Sequence, residues 1–281
     1  NPLEKKGFNR AYTRELLAKL LGGSASEYAL TTSTGVGIGV IAQGINFKKG
    51  DNIVIPEKEH WNNSFPWLHL EEKGVEIRFV KVNDDNSISP EEIEKLVDNN
   101  TKVVAIAAVR FNSGFRPNLN AIGKMAHKKG ALFLVDAAQG AGMIPINVEE
   151  DHIDIMSGCG FKWLLGMYGT GFLYASKRVV KMINPVLPGM YAAERMNDAL
   201  SFYEDSRKFE TGTISYALFD AWSAGLELLL TIGIKNMYES ALENTDFIIE
   251  GLKEKGYTII TPLKKRNERT AIVHFNTGAM K

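Results

Sequence analysis

Two short apolar runs, and the polar residues that end them, constrain this chain most. Residues 132–135 (Leu-Phe-Leu-Val) have the pattern of a short buried strand. Asp136 stands at its carboxyl end and Gln139 follows three residues later. A second run, 153–156, leads into a turn at 157–160 and then to Lys162. In an open parallel sheet, ligands collect at the carboxyl ends of strands. Neighbouring strands would therefore aim Asp136 and Lys162 into one crevice, floored by a carboxylate and an amine. Taken singly, an Asp after a strand is a cap or turn residue and a Lys a solvated charge. Together, beside Gly-rich turns, they point to a site.

The rest of the chain alternates strand and helix patterns. Residues 9–21 have helical spacing, with Leu16, Leu17, Leu20 and Leu21 on one side and Gly22-Gly23 as a stop. Strands are expected at 28–32, 52–55, 75–82 and 102–108. Helices are expected at 35–44, 60–73 (ended by Gly74) and 118–129 (closed by Gly130). Another helix follows the Ser89-Pro90-Glu91-Glu92 capping box. This alternation predicts an α/β fold, a mostly parallel sheet covered by helices on both faces. Beyond Gly171 come a strand at 172–174, helices at 219–231 and 234–254, and strands at 256–261 and 270–275. The domain reading is an N-terminal helical segment (1–24), a large domain (25–233) and the start of a smaller α+β domain (234–281).

Composition bounds the function. The chain has 281 residues, 44% hydrophobic and 23% charged, enough for a sizeable core. A formal net charge of +0 gives no reason to expect nucleic acid or an anionic membrane as partner. Cys159 is the only cysteine, so no internal disulfide forms. No apolar run is long enough to span a bilayer and no leader is visible at the start, so a cytoplasmic location is expected. The first residue is Asn rather than Met, as in a processed or partial N-terminus.

The turn Thr31-Thr32-Ser33-Thr34-Gly35 lies between a strand and a helix. Hydroxyls and free N–H groups there would bind phosphate, though a plain Ser/Thr cap has the same look. Just beyond, Gly37-Ile38-Gly39-Val40-Ile41-Ala42 matches the dinucleotide fingerprint GxGxxA, with Glu57 about 20 residues on. A dinucleotide-dependent oxidoreductase is therefore a second reading. It leaves Asp136, Gln139 and Lys162 unexplained, and its glycines fall inside the expected helix.

VDAAQ at 135–139, Asp154 eight residues before the Lys of KWLLG, and GTG at 169–171 resemble the class V aminotransferases of fold type I. That pyridoxal 5'-phosphate-dependent group includes cysteine desulfurases, selenocysteine lyases and isopenicillin-epimerase-like proteins. The resemblance runs over about 28–225. It implies that Lys162 holds the cofactor as a Schiff base and then moves the substrate's α-proton, with Asp136 as partner of the pyridinium nitrogen. It also implies that Gln139 donates to the ring oxygen and that His60 stacks on the ring and relays protons. Ser33, Thr34 and the Gly35 backbone would hold the phosphate. Cys159 occupies a position where relatives often place a phosphate-touching hydroxyl; a thiol is a weaker donor. Phe209-Glu210-Thr211-Gly212-Thr213 is similar to the family's Gly-Thr loop, which would carry Thr213 to the partner subunit's phosphate in a homodimer.

Departures from the family pattern are Phe161, where relatives carry His or Tyr, Met167 for Pro, and Ala108 for a polar or aromatic residue. Asn112 or Ser113 could replace the last. Neither the substrate-binding Arg nor the sulfur-accepting Cys of the C-terminal region has a counterpart, and relative to the family the chain looks abbreviated at both ends. The expected activity is amino-acid chemistry by transamination or α,β-elimination, with a cysteine desulfurase or selenocysteine lyase as the alternative. A non-catalytic interaction subunit of the same fold is a further alternative.

Overall fold

The computed structural model describes residues 9–196 and 199–278. A seven-stranded sheet forms the centre: β1 (Tyr28–Thr31), β2 (Asn52–Pro56), β3 (Glu76–Val80), β4 (Thr101–Ala107), β5 (Leu132–Asp136), β6 (Ile155–Cys159) and β7 (Gly171–Ala175). Their spatial order is β1-β7-β6-β5-β4-β2-β3. The pairs β2/β3, β2/β4, β4/β5 and β5/β6 are parallel. β7 runs antiparallel to both β6 and β1, so β1 points the same way as the parallel strands. The carboxyl ends of β1 to β6 consequently share one edge.

Burial on both faces explains why these strands read as nearly continuous apolar runs. Along β5, Leu132 and Leu134 enter one core while Phe133 and Val135 enter the other, as the period of two requires. The first core is closed by α2 (Thr34–Gly44), through Ile38 and Ile41. Across the sheet lie α1 (Arg10–Leu21), α5 (Leu119–Lys128) and α7 (Tyr216–Ile232), which supply Leu17, Ile122 and Trp222. Asn118 caps α5, and Gly130 (φ 80°) ends that turn. After α8 (Ile234–Glu254), two two-residue strands, Thr258–Ile259 and Phe275–Asn276, pair antiparallel. They are far shorter than the strand patterns at 256–261 and 270–275.

Three other local expectations are corrected. The continuous helix at 60–73 is instead a 3-10 turn (Trp61–Asn63), the short helix α3 (Phe65–Leu68) and a second 3-10 turn (His69–Lys73). Pro66 sits in the first turn of α3, where its missing N–H does no harm, and so marks a new start rather than a continuation. The turn expected at 157–160 is still strand as far as Cys159. Ser157 is tolerated inside the sheet because its hydroxyl donates to Phe172 O (3.0 Å) or Thr34 O (3.1 Å). At α4 (Pro90–Leu96), Ser89 caps the Glu91 amide, whereas Glu92 pairs with Lys95 rather than closing a capping box.

The GxGxxA glycines lie inside α2, not in the strand–helix turn, so they form no phosphate loop. Gly37 is needed for packing: a Cβ there would lie 2.2 Å from Ser157 Oγ. Gly39 faces open space, with nothing within 4 Å of such a Cβ. Gly37→Ala is expected to lower the unfolding free energy by about 1–3 kcal/mol. Gly39→Ala is expected to raise it by about 0.5–1 kcal/mol. Urea unfolding of the two variants checks both.

Candidate active site

At the shared edge, Asp136 closes β5 between Ala107 of β4 and Ser157 of β6. Its side chain is almost fully buried, and Oδ1 accepts the Ala138 N–H at 2.9 Å. Burial pushes this carboxyl above the usual range; the Ala138 amide and the nearby charge of Lys162 oppose that shift. Asp136, Gln139, Lys162 and His60 line one small cleft, whose apolar walls are Ala107, Val109, Ala138 and Phe111. The structure thus brings together the carboxylate, amide, amine and imidazole that the sequence singled out. Such a cleft offers an amine nucleophile opposite a carboxylate able to hold a cationic ring nitrogen.

Lys162 sits in a constrained loop. Gly160 N–H donates to Thr170 O and Gly166 N–H to Gly160 O, each at 2.8 Å. Leu165 adopts φ 58°, a left-handed conformation that costs a bulky residue about 1–3 kcal/mol. It is held by α7, where Trp222 Nε1–H donates to Leu164 O at 3.0 Å. Gly225 gives Leu165 room, since a Cβ there would lie 2.9 Å from Leu165 O. Phe161 stacks on Tyr168 with centroids 4.2 Å apart, and Lys162 Nζ lies 5.7 Å from the Phe161 ring.

Trp163 was not singled out from the sequence. Its Nε1–H donates to Gln139 Oε1 at 2.9 Å. An indole N–H can only donate, so this bond fixes the Gln139 amide and leaves its NH2 as the donor group. His60 Nδ1 accepts the Asn62 N–H at 3.2 Å, which in the neutral ring puts the proton on Nε2. The imidazole meets Phe111 edge-on, with centroids 5.4 Å apart at 86°. Phe111, not Asn112 or Ser113, is the residue of that loop at the cleft. Ala108 is small because Gly140 packs on it: a Cβ on Gly140 would lie 2.6 Å from that of Ala108.

The turn between β1 and α2 lies beside this cleft. Ser33 caps the helix, accepting the Val36 N–H at 3.2 Å. The Thr34 hydroxyl is buried without a hydrogen-bond partner of ordinary geometry; its neighbour is the buried Cys159 thiol. Burial pushes that thiol up, and Lys162 and Thr34 act against the shift. Cys159 therefore bridges the turn and the cleft. Gly35 packs against Asn62, whose Cγ would be 3.2 Å from a Cβ there. Thr213 is not at this chain's own cleft; its hydroxyl meets Tyr191. Its loop is pinned by Arg10 Nη2–H to Gly212 O (3.2 Å) and by buried Glu210, which takes Arg10, Arg14 and the Leu30 amide.

A buried ion pair beside the cleft has no local sequence signature. Arg110 Nη1 lies 2.8 Å from Glu59 Oε1, with both side chains almost fully enclosed. Burial pushes the Glu59 carboxyl up to about 7 although Arg110 pulls it down. The folded protein therefore holds this proton more tightly than the unfolded chain, whose carboxyl titrates near 4.5. That contribution is fully present below about pH 4.5 and is lost as pH rises to about 7. Thermal unfolding of wild type and Glu59→Gln across this window should show a smaller decline with rising pH in the variant. Equal slopes would contradict the assignment.

Comparison with known proteins agrees with this geometry. A family model described as aminotransferase class-V matches residues 5–281. A probable cysteine desulfurase of Methanothermobacter thermautotrophicus is 35% identical over 234 residues, covering 83% of this chain and 58% of the relative. A probable cysteine desulfurase of Pyrococcus abyssi is 28% identical, covering 94% of this chain and 66% of the relative. The chain thus spans less than two thirds of the length of these two curated relatives. Among solved structures, an apo cysteine desulfurase from Thermococcus onnurineus superposes with a TM-score of 0.90 at 27% identity, covering 96% of this chain and 68% of that one. The mostly parallel sheet, the cleft at its carboxyl edge and the family match have one conclusion: the chain belongs to the aminotransferase class-V family.

Proposed function

We propose that the cleft binds pyridoxal 5'-phosphate and that the enzyme acts on an amino acid, by transamination or α,β-elimination. Cysteine desulfuration is the particular form favoured by the named relatives, and a selenocysteine lyase reaction is the alternative of the same chemistry. One observation carries the reading: a buried carboxylate, an amine and an oriented amide donor converge in a small cleft next to a helix N-terminus. The orphaned, buried Thr34 hydroxyl fits the cofactor, because a phosphate oxygen would satisfy it. Bound pyridoxal phosphate supplies an aldehyde for the lysine and a ring that withdraws electrons from the substrate's α-carbon.

The chain's own groups then divide the work. Asp136 would hold the ring nitrogen protonated through a charge pair that the enclosed setting strengthens. Gln139 NH2 donates to the ring oxygen, held in place by Trp163. Lys162 Nζ takes the α-proton and returns it. His60, with its proton on Nε2 in the neutral ring, would pack on the cofactor's ring. Ser33, Thr34 and the Thr34 and Gly35 amides, which have no partner within the helix, receive the phosphate. Cys159 fills the space beneath them.

A homodimer belongs to the same reading, with Thr213 reaching the partner's site. The exposed apolar side chains Trp61 (69%), Phe65 (59%) and Met167 (54%) support a covered surface near the cleft. A cytoplasmic location is also part of it, since Cys159 is a free, buried thiol that a reducing compartment preserves.

The test is the absorption spectrum of the purified protein with pyridoxal phosphate, beside Lys162→Ala. The expected result is a visible, borohydride-sensitive band in wild type only, followed by keto-acid or sulfide release in an amino-acid screen. No band in wild type would overturn the reading.

A further inference from the structure

Arg110 is among the largest fully buried side chains of the protein, yet it is not at the cleft. It follows β4 in a tight loop: its N–H donates to Phe115 O (2.9 Å), and its carbonyl accepts the Gly114 N–H (2.8 Å). The guanidinium is spent on one neighbouring segment. Nη1–H donates to Glu59 Oε1 at 2.8 Å, and Nη2–H donates to Glu57 O at 2.7 Å or Lys58 O at 3.2 Å. Glu57 and Lys58 present both carbonyls to one nitrogen across a turn in which Lys58 has φ 53°, a left-handed conformation uncommon for a residue with a side chain. The lock continues beyond Glu59. Asn63 Nδ2–H donates to Glu59 Oε2 at 3.2 Å, and Trp67 Nε1–H donates to Asn63 Oδ1 at 3.4 Å.

His60 and Asn62 lie inside this lock. One lines the cleft; the other packs on Gly35 at the start of α2. We propose that Arg110 is a positioning residue: its guanidinium fixes the left-handed turn at Lys58 and thereby sets His60 over the cleft and Asn62 against the phosphate turn. The catalytic meaning of this placement rests on the cofactor reading; the placement itself does not. Lysine could not substitute, because one ammonium cannot span a carboxylate and two carbonyls as a planar fork does. Burial of the pair is by itself weak evidence for stability, since enclosed charges lose much of their hydration. The specific geometry around His60 is what sets the proposal apart from a plain structural ion pair.

The experiment reads His60 directly, in protein without cofactor. Nitrogen-15 NMR of histidine-labelled protein, with His60 assigned through His60→Gln, reports the ring tautomer. Wild type is expected to show the Nε2–H form at His60. Three variants follow: Arg110→Lys; the double variant Arg110→Met with Glu59→Gln, which leaves no unpaired buried charge; and Lys58→Val, an exposed site that strains the same turn from solvent. Far-UV circular dichroism confirms folding. Each folded variant is expected to lose the tautomer preference at His60, while His69, His127, His152 and His274 keep their signals. Pyridoxal phosphate is then expected to bind about tenfold more weakly, with altered visible circular dichroism. An unchanged His60 signal in any folded variant overturns the proposal, whatever the cofactor does. If wild type fails to bind pyridoxal phosphate while His60 responds as expected, the cofactor reading falls and the positioning role stands.

Discussion

The strand ends gathered on one edge of the sheet set the position of the groups in the cleft. β4, β5 and β6 run parallel and in register, so Ala107, Asp136 and Ser157 lie side by side. The antiparallel β7 inserts between β6 and β1 and returns the chain, which leaves the β1–α2 turn on the same edge as Asp136. A helix N-terminus and a buried carboxylate are thereby neighbours without any long loop between them. The close approach of Gly37 to Ser157 keeps α2 tight on the sheet, and the Ser157 hydroxyl faces the α2 backbone at Thr34.

Electrostatics adds a second layer. Burial disfavours ionisation of two carboxyls, Asp136 and Glu59, and Asp136 adds to that effect at Glu59. Positive groups offset this on opposite sides: Arg110 at Glu59 and Lys162 at Asp136. Neutral contacts fix the remaining degrees of freedom. A donor-only indole orients Gln139, and a backbone amide at Nδ1 orients His60. Two restraints from distant segments, Arg110 on the 57–59 turn and Trp222 on the lysine loop, act through backbone carbonyls rather than on the reactive groups.

What could be read in the sequence was what leaves a local mark. Asp136 and Lys162 each follow an apolar strand, so strand periodicity alone placed them at a shared edge. The cap at Asn118, the stop at Gly130 and the boundaries of α2 also follow from residues a few positions apart. Hidden features are pairings between distant segments. Arg110 and Glu59 are 51 residues apart, and Trp163 and Gln139 are 24 apart. In a linear sequence Arg110 reads as a solvated cation and Trp163 as packing. The antiparallel insertion of β7 was equally invisible, because a fully buried strand has the same composition whichever way it runs. The break at 60–73 was missed because Pro66 starts one helix as readily as it ends another.

The central claim is that the amine facing Asp136 is the one that captures an aldehyde cofactor. Peptide mapping by mass spectrometry, after incubation with pyridoxal phosphate and borohydride reduction, tests it most directly. The account predicts a pyridoxyl phosphate label on Lys162, abolished in Asp136→Ala only to the extent that binding weakens. Label confined to other lysines, or spread evenly over the surface, would contradict it.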